Sequence, residues 1–482
     1  VTRSLGRRSG GSSIERLSSL DAVFLAIEDP CNPMSIGTVA LFEGPAPPFD
    51  AVCQIMATRI PFVPRCRQRV REPSGIFGRP VWIDDAGFDL RDHMHHLTLG
   101  DQHQSGLDDL VAELMTAPLD RSRALWDVWV IDGLAGERWA IVAKVHHCMV
   151  DGIAGSDLLS ALLDRQRDAD TPTPGTWTRT PEPSALTLAR FGVTSSSRSL
   201  LVRLRGAGTR LRHPYQSWKH GLAVVAAARR LWFRQHHAPT SLTGPIGTRR
   251  RWAHTVASLD DIAVIRDALG GTVNDVVLAA VSRGLRELLV ERGEPVEDRT
   301  ITAMVPVSLR GSDERGRTGN RVANVHALLP IGVADPRSTL HAVHDHLEEL
   351  KRSHEVDATG LLLNIGDFVP RVVADGIART ILHRQRNVET VITNILGPRS
   401  PLHLGGHRMV AGYPVAPIGG RVRITIAIWS YCDRLYLGIT GDRDTTGDIE
   451  HLKGGINRGF SDLLQVARSA HARASTRAEP PP

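Results

Sequence analysis

Between Pro183 and Leu259 the chain has no acidic residue and thirteen basic ones, among them Arg203, Arg205, Lys219, Arg229 and Arg230. The stretch that leads into it, RQRDADTPTPGTWTRTPEPSA (165–185), is rich in Pro, Thr and charge and reads as a linker or exposed loop. Strand and helix patterns lie on both sides of this tract, so the ordered structure is expected as two lobes. The length of 482 residues agrees, since a single core rarely grows so large. The divisions drawn are a flexible N-terminus (1–14), a first lobe (15–165), a linker with a basic helical segment (166–250), a second lobe (251–470) and a flexible tail (471–482).

In the first lobe SIGTVALFEG and RWAIVAKV alternate or run apolar like strands, whereas GLDDLVAELMTAPL has helical spacing. The second lobe starts near Thr255 with two helical patterns broken at Gly270–Gly271. RTITAMVPVSL, ETVITNILGP and RITIAIWSYCDRLYLGIT then read as strands, the last a hairpin turning at Tyr431–Arg434, and a helix is expected near 446–473. No run approaches eighteen apolar residues, so no spanning helix is expected, and the N-terminus lacks the apolar region of a secretory signal. Five scattered cysteines without a CxxC pair fit a reducing compartment, with the cytoplasm as the default, and argue against a structural zinc site.

The net charge is +6 and only Lys144, Lys219, Lys351 and Lys453 are lysines, the other basic residues being arginine. No Gly-Lys pair exists for a phosphate loop, and neither GxGxxG after a strand nor GxSxG occurs, which removes the common nucleotide-binding and serine-hydrolase readings. For the basic tract three readings stand. Arginines beside Leu, Trp and Phe suit an anionic bilayer surface; solvated helices packed on the second lobe are the plainer alternative; nucleic acid is disfavoured because no recognition motif accompanies the charge.

Residues 144–155, KVHHCMVDGIAG, carry the chemistry. The apolar strand RWAIVAK delivers His146 and His147 to its end, and a helix pattern starts at DGIAGSDLL, so the pair sits on a strand-to-helix turn where Gly152 permits a sharp bend. A histidine near its ordinary pKa can take a proton from a hydroxyl at neutral pH. Without a serine or cysteine nucleophile beside it, such a base suits direct attack of a bound alcohol or amine on an activated acyl group. Adjacent histidines lack the i, i+4 spacing and third ligand of a zinc site. His93, His95 and His96 in DHMHHL are expected to be bonded within a strand, and Pro118, Leu119 and Trp126 to pack a junction. Asn274–Asp275 suits a helix N-cap, a site role, or both, and Arg310 is one candidate partner for Asp151.

HHCMVDG matches the HHxxxDG motif of the CoA-dependent acyltransferase superfamily, to which chloramphenicol acetyltransferase and condensation domains belong. The chain resembles, from about Leu17 to about Arg468, the bacterial wax ester synthase/acyl-CoA:diacylglycerol acyltransferase family. LSSLDAVFLAIEDPCNPMSIGTVALFEG, FDLRDHMHHLTL, APLDRSRALWDVWVIDGL, GGTVNDVVLAAVSRGLRELL, VPVSLRG, GNRVAN, TNILGP and PVAPIGGRVRITIAIWSYCDRLYLGITGDRD follow in that family's order. Cys148 stands where a small residue is usual, and TNILGP departs from the commoner Asn-Val-Pro-Gly-Pro.

The resemblance implies an α/β fold of two chloramphenicol-acetyltransferase-like lobes, each a mixed sheet with helices, and a substrate channel between them. It implies His147 as general base, His146 shaping the base's surroundings, and Asp151 holding the turn through an ion pair. Asn274 would face the channel, and Asn394 would sit near the acyl carrier or tetrahedral intermediate. The activity implied is O-acyl transfer from long-chain acyl-CoA to diacylglycerol, or to a fatty alcohol, with acyl-CoA as co-substrate and no cofactor or metal. A place on the inner membrane face or a lipid droplet follows from the apolar substrates. Two alternatives remain: an acyltransferase using a carrier-protein-bound or polyketide donor, and a catalytically silent lipid-surface binding protein.

Overall fold

The computed structural model describes residues 14–72, 79–100, 104–149, 162–167, 181–184, 186–188, 190–191, 240–308, 322–352, 371–385 and 387–478. Asp151, Gly152, Arg310, residues 1–13 and residues 192–239 of the basic tract lie outside them. The first half runs β1 (Glu15–Arg16), α1 (Ser19–Ile27), β2 (Ser35–Glu43), α2 (Phe49–Arg59), β3 (Gln68–Arg71), β4 (Val81–Asp84), β5 (Met94–Thr98), α3 (Gln104–Thr116), β6 (Trp126–Leu134) and β7 (Arg138–His146). The second begins with β8 (Arg250–Ser258), α4 (Leu259–Leu269), α5 (Val273–Glu291), β9 (Ile301–Ser308), β10 (Val322–Leu329) and α6 (Pro336–Arg352). It continues through α7 (Arg371–Arg384), β11 (Thr390–Ile395), β12 (His403–Leu404), β13 (His407–Val415), β14 (Ile424–Tyr431), β15 (Arg434–Asp442) and α8 (Ile449–Ala478).

Two six-stranded sheets form the two lobes, and a small three-stranded sheet, β1-β4-β3, joins the first. The second sheet has the order β10-β9-β11-β14-β15-β8, parallel where β11 meets β9 and β14 and antiparallel elsewhere. The first has the order β12-β13-β2-β7-β6-β5, parallel only between β5 and β6. Both sheets are mixed, as expected. β7 is central and covered on both faces, which is why Trp139, Ala140, Ile141 and Val142 form an unbroken apolar run and are all buried. The hairpin turns at Cys432–Asp433 between Tyr431 and Arg434, as its sequence indicates.

Residues 403–415 fall inside the range drawn for the second lobe, yet they supply β12 and β13 to the first sheet, where Tyr413 pairs with Val39 and Gly412 with Ala40. Residues 240–249, drawn as linker, join the second lobe, for Leu242 is fully buried in its core and Thr243 bridges Val422. α8 runs on to Ala478, into the range drawn as tail. Gly270 and Gly271, at φ +84° and +86°, separate α4 from α5 as their position indicates. No helix among the described residues is long and apolar enough to cross a membrane.

The lobes meet along an aromatic seam. Tyr413 of β13 stands edge-on to Tyr436 of β15 at 5.1 Å, and the Tyr431 hydroxyl of β14 donates to Met409 O at 2.9 Å. Across the α3–β8 contact His254 Nδ1 lies 2.9 Å from Asp108 Oδ1.

Candidate active site

The site is built on the end of β7. Its last residue, His146, is fully buried and pairs with Ser35 of β2, while its N–H donates to Leu125 O at 2.9 Å on the β6 side. The chain then tightens into a 3₁₀ turn, His147–Met149, and the His147 N–H donates to Met34 O at 2.7 Å. The imidazole of His147 lies against the ring of Phe24 in α1, centroids 3.9 Å apart and tilted by 31°.

His146 is hydrogen-bonded through one ring nitrogen and faces a carboxylate with the other. Nδ1 accepts the Cys148 N–H at 3.1 Å, so it carries no proton and the proton sits on Nε2. Nε2 points at Glu28 Oε1, 3.4 Å away, a long electrostatic contact. The other Glu28 oxygen accepts from Arg121 Nε at 3.1 Å and Nη2 at 2.7 Å, and Oε1 also takes the Met34 N–H at 3.1 Å. Burial by itself would raise the Glu28 carboxyl, but His146 and Arg121 outweigh it and hold the group down to about 2. The buried carboxylate is therefore ionised and keeps His146 in one tautomer and one orientation. Cys148 is no rival nucleophile: its thiol is buried, and burial pushes it far above the ordinary thiol range.

The Glu28 contacts set a pH dependence. A carboxyl depressed in the folded protein contributes stability above its ordinary value of 4.5, and that contribution fades as pH falls toward about 2. Glu28→Gln is expected to lower unfolding free energy by roughly 2–3 kcal/mol at pH 7, and the deficit should shrink progressively below pH ~4.5. Urea unfolding of both proteins at pH 7 and at pH 3 checks this; a deficit that does not shrink at pH 3 would mean Glu28 acts by packing.

Lys144, on the same face of β7 as His146, is buried, and its Nζ donates to the carbonyls of Leu114 (2.7 Å) and Ala117 at the end of α3. Leu114 O would ordinarily accept the N–H four residues on, but residue 118 is proline and has none. Lys144 supplies the missing donor, and burial brings its pKa down to about 8. The Pro-Leu turn is thereby tied to the histidine strand. Leu119 and Trp126 are packing residues as read: both are buried and the Trp126 indole donates to Cys66 O at 2.8 Å. The histidines of DHMHHL are bonded too, His93 to Trp126 O (2.7 Å), His95 to Asp127 (3.2 Å) and His96 to Asp132 (2.9 Å).

Asn274 and Asn394 come together in the second lobe. Asn394 on β11 donates its Nδ2 to Asn274 Oδ1 at 3.4 Å, and Asn394 Oδ1 is buried with no hydrogen-bond partner among the described residues. Asn274 is not the cap of α5. Thr272 is, accepting the Asp275 N–H at 3.3 Å while Asp275 Oδ2 accepts the Thr272 N–H at 2.8 Å. Asp275, further held by His344 at 2.8 Å, is thus structural. The structure holds the described candidates as two pairs, His146–His147 on the first lobe and Asn274–Asn394 on the second. Phe24, Glu28, Arg121 and Lys144 escape a reading by motif, although the first two lie in the quoted opening block and Lys144 directly precedes Val-His-His.

Comparison with known proteins identifies the family. The wax ester synthase/diacylglycerol acyltransferase catalytic domain family matches residues 17–277, and the WS/DGAT C-terminal domain family matches residues 318–464. A relative from Mycobacterium tuberculosis described as "Probable diacyglycerol O-acyltransferase" is 35% identical over 469 residues, covering 94% of this chain and 97% of the relative. Among solved structures, the wax ester synthase/diacylglycerol acyltransferase from Marinobacter aquaeolei VT8 matches with a TM-score of 0.67 at 23% identity, covering 94% of this chain and 99% of that one. The first condensation domain of the calcium-dependent antibiotic synthetase matches at 0.56 and 17% identity, covering 95% and 97%. At those identities the two structures speak for the fold alone. The two family matches and the 35% identical relative establish that the chain belongs to the wax ester synthase/diacylglycerol acyltransferase family and is an acyltransferase of that type.

Proposed function

We propose that this enzyme transfers the acyl group of a long-chain acyl-CoA to the hydroxyl of diacylglycerol, making triacylglycerol, with His147 as general base. Fatty alcohols are a second acceptor, giving wax esters. The observation that carries the assignment of the base is the difference in access: His146 is fully buried with its Nδ1 taken by the Cys148 N–H, whereas His147 is partly exposed at the turn. Proton transfer then falls to His147. Its neutral imidazole takes the acceptor's hydroxyl proton as the oxygen attacks the thioester carbonyl. The tetrahedral intermediate collapses with cleavage of the C–S bond, and the departing CoA thiolate takes the proton back from the imidazolium. The chemistry closes without a cofactor or metal. Asn274 and Asn394 are polar, paired and part of the second lobe, and we assign them to steadying the oxyanion or the acyl carrier. Asp151 and Gly152 keep the turn roles that the resemblance implies. Apolar substrates and the basic tract favour attachment to the inner membrane face or a lipid droplet.

The test is release of free CoA thiol from palmitoyl-CoA, with dioleoylglycerol or hexadecanol as acceptor and with the lipid product identified by mass spectrometry. Acceptor-dependent release with triacylglycerol as the faster product is the expected result. Faster hexadecanol turnover would make wax ester the main product. No acceptor-dependent release, with retained binding to liposomes, would turn the reading to a silent lipid-surface protein.

A further inference from the structure

Between α1 and β2 the chain makes a tight turn, Glu28–Met34, reading EDPCNPM. Asp29 precedes Pro30, which ends the helix, and its carboxylate accepts the N–H groups of Cys31 (2.8 Å) and Asn32 (3.0 Å) and the Asn32 carboxamide (2.8 Å). Both ends of this turn reach the catalytic strand. Met34 N–H donates to Glu28, which faces His146, and Met34 O accepts the N–H of His147.

The tip of the same turn is held by the other lobe. Asn32, only 1% exposed, accepts the Gly420 N–H through Oδ1 at 2.6 Å. Arg250, at the start of β8 and 3% exposed, donates to Cys31 O while its other amino group is fixed by Gly247 O at 2.8 Å. Arg379 of α7 adds a bond to Ala26 O at 2.6 Å on the helix that carries Phe24. A buried guanidinium and a buried carboxamide aimed at one short loop are costly unless both are satisfied, so the arrangement holds only when the lobes are docked.

We propose that Asn32 and Arg250 are positioning residues through which the second lobe sets the orientation of the base. The path is short: Gly420 to Asn32, Asn32 through the Asp29 turn to Met34, and Met34 to His147. Neither residue touches a reacting atom. Their effect is on where the imidazole stands and how firmly it lies on Phe24. The proposal rests on His147 being the base, and the experiment separates the two.

Full-length Asn32→Ala, Arg250→Met and Arg250→Lys proteins are compared with wild type for kcat, for KM of palmitoyl-CoA, and for the rate at which diethyl pyrocarbonate modifies His147, followed by mass spectrometry. Misplacing a catalytic group by about 1 Å can cost on the order of a hundredfold, so kcat of Asn32→Ala should fall about tenfold to a hundredfold. KM should stay within about twofold, since substrate binding is not addressed. His147 should be modified faster as its stack on Phe24 loosens. Arg250→Lys keeps one donor and should lie nearer wild type than Arg250→Met. Ile426→Val, a core change elsewhere in the second lobe, should lower Tm without moving kcat or His147 reactivity. Should Asn32→Ala and Arg250→Met match wild type in kcat and in His147 reactivity below their Tm, the positioning role is wrong. If His147→Ala stays active while Asn32→Ala still alters His147 reactivity, the coupling stands and the base assignment falls.

Discussion

Replacing His147 by alanine is expected to lower kcat by about 10²–10⁴-fold, the usual contribution of a positioned general base. The residue opens the 3₁₀ turn that follows β7, and its N–H is pinned to Met34 O, so truncation removes the imidazole without freeing the backbone. KM for palmitoyl-CoA should change little, because the lost interaction belongs to the transition state. His146→Ala should behave differently. It leaves Glu28 and Arg121 facing a cavity in a fully buried position, and its signature is lost stability together with a partial loss of rate. CoA release measured for wild type and both variants, with unfolding curves alongside, separates the roles. Equal release from wild type and His147→Ala would mean that His147 is not the base.

Gly438→Ala is expected to destabilise the protein by about 3 kcal/mol or more, the upper range for overpacking a filled interior. Gly438 lies in β15, and a Cβ placed there would come within 1.8 Å of Pro414 O, a backbone atom of β13 in the other lobe's sheet. Backbone on both sides cannot yield as a flexible side chain would, so the strands must part. Parting them disturbs the Tyr413–Tyr436 contact and the bonds from Tyr436 to Val410 O (3.1 Å) and from Tyr431 to Met409 O. Denaturant unfolding should show a lower midpoint. Activity should fall with it, because the second lobe would no longer sit squarely on the first. A variant with wild-type stability would show that the seam has slack and that the two sheets are not rigidly coupled.

Elements that announce themselves by local pattern were legible. β7, the turn after it, the break at Gly270–Gly271 and the β14–β15 hairpin all follow from side-chain periodicity and turn chemistry over a few residues. The pairing of Asn274 with Asn394 was half legible. Each stood in a recognisable block, but only the fold brings residues so far apart in sequence into contact, and only the capping box shows that Asn274 itself is not the cap.

The amino-acid sequence by itself determined the two-lobed α/β class, the family, and the strand end that carries His146 and His147. Tertiary structure alone decided which strands share a sheet and which buried groups meet the histidine strand. β13 carries a mostly buried, near-continuous run that names no partner by itself, and its place beside β2 depends on Gly37–Phe42 meeting Met409–Val415, a choice made by shape and packing far from either segment in sequence. Glu28, Arg121 and Lys144 are ordinary charged residues until burial removes water from around them. Then the carboxylate must find His146 and Arg121, and the ammonium must find the carbonyls of Leu114, left open by Pro118, and Ala117.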